Sequence, residues 1–132
     1  MERRLTFPST MRLSGERAFA AVFDAKVRRG AGPLTFYALP NTLGHHRLGL
    51  TVPRRVGNAV RRNRVKRLLR EAFRLQQHEL PGTHDIVVVV RPHEATEQAI
   101  YARWMREAVA GLDEAWRRRK GGGGGSKDAP AA

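Results

Sequence analysis

Hydrophobic and polar positions along the chain change their period several times, and each change marks an element. The first dozen residues, with Phe7, Pro8 and Ser9, read as an extended lead-in. Ser14 can then cap a helix over about Gly15 to Ala25, in which Ala18, Phe19, Val22 and Phe23 fall on one face. Two glycines and a proline within Arg28 to Pro33 stop that helix. Leu34 to Leu39 is rich in strand formers, and Pro40 to His46 is a turn-rich connection. Arg47 to Val52 alternates Leu48, Leu50 and Val52 with Gly49 and Thr51, the period of a strand, and Pro53 ends its ladder because it has no N–H to donate. Asn58 is a suitable N-cap for a long helix running to about His78, which Pro81-Gly82 breaks. Asp85 to Arg91 is a β-branched run, the pattern of a strand covered on both faces. A last helix over about Thr96 to Arg119 carries Tyr101, Met105, Ala108, Val109, Leu112 and Trp116 on one stripe. The pattern predicts strand–helix–strand with a further helix on each side, an α+β or α/β sandwich on one small sheet.

With 132 residues, the chain fits one domain over residues 1–120, followed by a flexible Gly-rich tail over 121–132 whose glycines cannot offset the entropy of ordering. Zero cysteines exclude a disulfide scaffold, a thiol nucleophile and any Cys-ligated metal. No run approaches the length of a membrane span and the start lacks a signal-peptide core, so a cytoplasmic location is expected and no membrane partner. Charge changes the picture most. Lys and Arg number 25 against 12 Asp and Glu, a formal net charge of +13. Such a chain repels itself unless a polyanion shares its field, which points to nucleic acid.

The charge is concentrated. Arg54, Arg55, Arg61, Arg62, Arg64, Lys66, Arg67, Arg70 and Arg74 are opposed within their stretch only by Glu71. At helical spacing Val65, Leu68, Leu69, Ala72 and Phe73 share one face, while Asn63, Lys66, Arg67, Arg70 and Arg74 share the other. An apolar face that seats the helix on a sheet leaves the opposite face as a rigid array of guanidinium forks suited to phosphate. Asn63 can reach a ribose hydroxyl or a base edge. A merely solvated basic face is the bland reading, and the density of charge argues against it. Phe19, Phe23 and Tyr37 fit core packing or a stacking platform for unpaired bases, and spacing leaves both open. His45, His46, His78, His84 and His93 lack metal-ligand spacing and read mostly as surface residues. Asp85 fits the start of a strand as well as it fits an Mg²⁺ ligand. No nucleotide-binding loop or hydrolase motif occurs. The residues alone describe a nucleic-acid binder with no catalytic residues and no metal site of its own.

The stretch Arg62-Asn63-Arg64-Val65-Lys66-Arg67-Leu68-Leu69-Arg70-Glu71-Ala72-Phe73 resembles the RNR signature of the bacterial ribonuclease P protein subunit. Arg47 to Val52, Gly57-Asn58-Ala59-Val60 and the early helix from Arg12-Leu13 to Phe19 and Phe23 resemble that family in order and spacing, so the similarity covers about Arg12 to Trp116. The resemblance implies an α+β fold with a mixed sheet of about four strands, similar to the second domain of a small-subunit ribosomal protein. It also implies a left-handed strand–helix–strand crossover, against the right-handed one that general rules favour. It implies a protein subunit, 1:1 with a catalytic RNA, in an endoribonuclease that uses Mg²⁺ held by the RNA to remove the 5′ leader of precursor tRNA. By position, Arg62, Asn63, Arg64, Lys66, Arg67 and Arg70 would contact the RNA subunit, with Arg54, Arg55, Asn58, Arg61 and Arg74 flanking them. Phe19, Phe23 and Tyr37 would line a cleft for the leader. Arg54 and Arg55 stand where the family usually has lysine, and Pro53 before them departs from its pattern. The competing readings are a ribosomal-type RNA-binding protein without a processing role, a basic DNA-binding protein and a self-contained nuclease.

Overall fold

In a computed structural model, which describes residues 7–122, a four-stranded sheet separates one helix from two others. Helix α1 (Glu16–Asp24) precedes β1 (Arg28–Ala31), β2 (Leu34–Pro40) and β3 (Arg47–Thr51); α2 (Ala59–Gln76), β4 (His84–Val90) and α3 (Gln98–Gly122) complete the chain. The strand order is β1-β2-β4-β3, with β4 antiparallel to β2 and parallel to β3. Helix α2 therefore connects two neighbouring parallel strands, an arrangement open only to a crossover long enough to span a strand.

The alternating periods sort side chains to the two faces. Leu34, Phe36 and Ala38 of β2, Leu48 of β3 and Ile86, Val88 and Val90 of β4 join Val65, Leu69 and Phe73 of α2 and Tyr101, Met105 and Leu112 of α3 in the main core. On the other face Val87 packs with Val22 and Leu13, and with the half-buried Phe19, Phe23, Tyr37 and Val89. The β-branched run is covered on both sides, as its composition requires. Hydrogen bonds tie these elements together: Gln76 Nε2 of α2 donates to the Ala102 carbonyl of α3 at 2.9 Å, and Trp116 Nε1 of α3 donates to the Ala38 carbonyl of β2 at 2.9 Å.

Four local expectations need correction. Arg28–Ala31, whose sequence signals only the end of the first helix, is an edge strand paired with β2, with Ala31 opposite Leu34. Only Gly32 and Pro33 turn the chain, and Gly32 has φ +57°, the conformation a two-residue hairpin asks of its first loop residue. The N-cap of α1 is Gly15 at φ 94°, not Ser14, and no side chain caps it. His46 and His84 are buried at 3% and 2% exposure rather than on the surface. Finally, α3 runs through Gly122, two residues into the glycine run assigned to the tail, because extending a formed helix by a residue fixes one backbone pair and gains one hydrogen bond. The rest of that tail and the first half of the lead-in lie outside the described residues.

Candidate nucleic-acid interface

The basic helix starts where its sequence says. Pro53 (φ −72°) opens a short 3-10 turn, Arg54–Val56, whose Val56 is buried while Arg54 and Arg55 point to solvent. Asn58 then caps α2 by accepting the Arg61 N–H at 2.9 Å. With Val65, Leu69, Ala72 and Phe73 buried, the opposite side is forced outward: Asn63, Arg64 and Arg67 are exposed, and Lys66, Arg70 and Arg74 half-buried.

The arginines of this face differ in how much of their charge is already engaged. Arg62 folds back to donate from Nε to the Gly57 carbonyl at 3.1 Å, which orients it along the start of the helix. Arg74 donates to both carboxylate oxygens of Glu71, which raises the arginine's pKa and lowers the glutamate's. Arg61 has Glu94 at 3.9 Å, but Glu94 is 92% exposed, so water and salt screen the pair. Burial, and behind it the nearby Arg12 guanidinium, lower the pKa of Arg70, which stays a cation. Arg64 and Arg67 stand in the open array.

The aromatic trio divides. Phe23 of α1 and Tyr37 of β2 meet edge to face, ring centroids 4.8 Å apart, and with Lys26 and Arg28 they line a cleft of about 460 Å³. Phe19 lies 6.4 Å from Phe23, beside this cleft rather than in it, its ring seated on Gly49 of β3. The cleft thus combines two partly exposed rings with two cations, the pairing that unpaired nucleotides need: π-faces for bases and charge for phosphates. Arg28 Nη1 also approaches the Tyr37 hydroxyl at 3.4 Å. Lys26 and Arg28 line this cleft without any signal in their spacing that pointed to it. Arg28 lies in a stretch whose sequence signals only a helix stop, and the pairing Arg28 to Tyr37 across β1 and β2 is what brings it to the rings.

Three buried polar side chains, Asp85, His46 and His84, make internal hydrogen bonds. Asp85 accepts from Arg47 Nε at 2.8 Å and Nη2 at 2.6 Å and from Asn41 Nδ2 at 2.9 Å. Its burial is outweighed by these contacts, and its pKa falls below the ordinary carboxylate value. The backbone N–H of His84 donates to His46 Nδ1 at 3.0 Å, and His46 Nε2 donates to the Leu80 carbonyl at 3.1 Å. His84 Nε2 donates to Asp113 at 3.0 Å, while Arg117 reaches the other Asp113 oxygen at 3.0 Å. Among the described residues, no three His, Asp or Glu side chains converge as metal ligands, and no helix is long and apolar enough to cross a membrane.

A family model for ribonuclease P matches residues 7–116, the whole span from the lead-in to the end of the α3 stripe. The ribonuclease P protein component of Photorhabdus laumondii is 43% identical over 116 residues, covering 87% of this chain and 92% of its own. Among solved structures, the Thermotoga maritima RNase P protein shares 31% identity and superposes with a TM-score of 0.60 over 76% of this chain and 95% of its own. The Staphylococcus aureus RNase P protein, at 24% identity, shares the fold with a TM-score of 0.65 over 76% and 93% of the two chains. With the RNR helix, the mixed sheet and the matched span in agreement, the chain belongs to the ribonuclease P protein family.

Proposed function

We propose that this chain binds a catalytic ribonuclease P RNA through the outer face of α2 and receives the 5′ leader of precursor tRNA in the aromatic cleft under α1. In this reading Arg62, Asn63, Arg64, Lys66, Arg67 and Arg70 contact the RNA subunit, Arg54, Arg55, Asn58, Arg61 and Arg74 extend that contact, and Phe23 and Tyr37 stack leader bases while Lys26 and Arg28 hold their phosphates. Phe19 supports the Phe23 edge of the cleft. The observation that carries the proposal is the seating of α2. Its buried face leaves Arg64 and Arg67 fixed in direction and open to a polyanion.

Hydrolysis belongs to the RNA. In this reading the Mg²⁺ used in hydrolysis is held by the RNA-containing holoenzyme. The protein's part is electrostatic and positional: it neutralises phosphates of both RNAs, in a 1:1 complex located in the cytoplasm. Each phosphate contact should steepen the salt dependence of log K by roughly 0.9 on duplex and 0.7 on single strands.

The test is cleavage of a 5′-extended precursor tRNA at low Mg²⁺ in four mixtures: bacterial ribonuclease P RNA alone, protein alone, both, and both with the Arg62→Ala/Arg67→Ala protein. Cleavage is expected only in the complete mixture and reduced with the variant. Cleavage by protein alone would reveal a nuclease centre. Absence of stimulation would reassign the chain to ribosomal-type RNA binding.

A further inference from the structure

A second groove lies between the N-terminal segment and α2, outside the aromatic cleft. It encloses about 420 Å³, and Phe7, Arg12, Arg67, Arg70, Glu71 and Arg74 are among its walls. Two elements far apart in sequence deliver its cations. Met11 and Leu13 are buried, at 8% and 4% exposure, and anchor the segment on either side of Arg12. The backbone is pinned as well: Leu13 N–H donates to the Leu48 carbonyl at 2.9 Å, and Arg12 pairs with Leu48 as an isolated parallel bridge at the edge of β3. Arg12 is therefore held in place while its side chain projects into solvent. Its guanidinium lies 5.1 Å from the centroid of the Phe7 ring, and Phe7 in turn packs edge to face on Phe73 of α2 at 5.5 Å.

This stack holds the Arg12 charge on the same groove as Arg70, whose pKa is lowered first by burial and then by the Arg12 charge. Among the described residues the one carboxylate lining the groove is Glu71, and it accepts its hydrogen bonds from Arg74 rather than from Arg12 or Arg70. A fold that clamps two like charges together through a buried anchor and an aromatic stack holds them in wait for an anion. Guanidinium forks select a tetrahedral oxyanion over chloride, because its oxygens accept parallel N–H bonds.

We propose that this groove is a phosphate-binding site in which Arg12 and Arg70, flanked by Arg67, together hold one phosphate of an RNA backbone. The inference rests on the RNA-binding reading above and extends the interface from α2 to the N-terminal segment. Binding there joins the segment to α2 and removes the repulsion between the two arginines.

The experiment uses the full chain and two readouts. The first is the thermal midpoint in inorganic phosphate against sodium chloride of equal ionic strength, for the wild type, Arg12→Gln, Arg70→Gln and, as a control on the exposed side of α3, Arg103→Gln. Phosphate stabilises proteins generally by exclusion from their surface, so the comparison between variants carries the result. The wild type and Arg103→Gln should gain several degrees more in phosphate than Arg12→Gln or Arg70→Gln, and the chloride midpoints of the two groove variants should be unchanged or higher. An equal phosphate gain in all four proteins, or a groove variant that melts lower in chloride, overturns the site. The second readout is the salt dependence of affinity for ribonuclease P RNA, whose slope should fall by about one contact, roughly 0.7–0.9, in Arg12→Gln and stay unchanged in Arg103→Gln. A chain that fails to bind this RNA while keeping the phosphate difference refutes the RNA-binding reading and leaves the anion site standing. Normal RNA binding and stimulation with an unchanged slope and equal phosphate gains refutes the groove alone.

Discussion

Gly49 offers the sharpest handle on the aromatic cleft. A Cβ built on it would lie 2.6 Å from Phe19 Cζ and 3.1 and 3.2 Å from the two Cε atoms. Ordinary carbon contacts are about 3.5–4.0 Å, so Gly49→Ala must push the ring back by roughly 1 Å. Overpacking of that size costs about 1–3 kcal/mol. The smaller entropy of the unfolded alanine chain offsets about 0.5–1 kcal/mol of this. The net expectation is a loss of about 0.5–2 kcal/mol in urea unfolding. Phe19 cannot retreat without disturbing Phe23, 6.4 Å away, and Phe23 forms the cleft with Tyr37. Affinity of the reconstituted complex for leader-bearing precursor should therefore fall several-fold while affinity for leaderless tRNA holds. In a double-mutant cycle, Gly49→Ala should become neutral or stabilising once Phe19→Ala has removed the ring. Undiminished stability in the single variant, or a penalty that persists without the Phe19 ring, would refute the steric argument. Equal affinity losses for both RNAs would refute the assignment of the cleft to the leader.

Phe23→Ala should cost about 1–3 kcal/mol of affinity for leader-bearing precursor if one base stacks on the ring, and much less for mature tRNA; equal losses would assign Phe23 to packing alone. Acid should weaken the fold through His46. Burial lowers its pKa below the ordinary 6.5, and its two hydrogen bonds, one accepted at Nδ1 and one donated from Nε2, use the neutral ring. The unfolded chain therefore takes up the proton first as pH falls through 6.5, and stability declines by at most about 1.4 kcal/mol per pH unit for this one group. Urea midpoints measured from pH 7.5 to 5.5 should drop less in His46→Gln than in the wild type, and parallel curves would remove His46 as the cause.

Much of this protein was legible because its elements are long and their periods unambiguous. The eighteen-residue α2, its Asn58 cap, its apolar seam and its cationic face follow from spacing at 100° per residue, and the β-branched run in Asp85 to Arg91 announced a strand covered twice, found at His84–Val90. What stayed hidden was local structure that tertiary partners impose. Arg28–Ala31 has the composition of a turn and becomes a strand because β2 supplies hydrogen-bond partners for it. Nothing in the spacing of His46 and His84 indicated burial; inside the fold a carbonyl and a backbone N–H meet both His46 ring nitrogens, and Asp113 meets His84 Nε2.

Sequence by itself determined which residues carry charge, which face of α2 they share, and the family to which that pattern belongs. Tertiary structure alone decided which charges are open and which are spent. Glu71 neutralises Arg74 one helical turn away, whereas Arg12, more than fifty positions upstream of Arg70, shares a groove with it only because Leu48 pins the lead-in to β3. It decided likewise that Lys26 and Arg28 join Phe23 and Tyr37 in one cleft. Helical spacing is a property of neighbours along the chain and can be read from them, but an electrostatic field sums over neighbours in space, and those exist only once the sheet has formed.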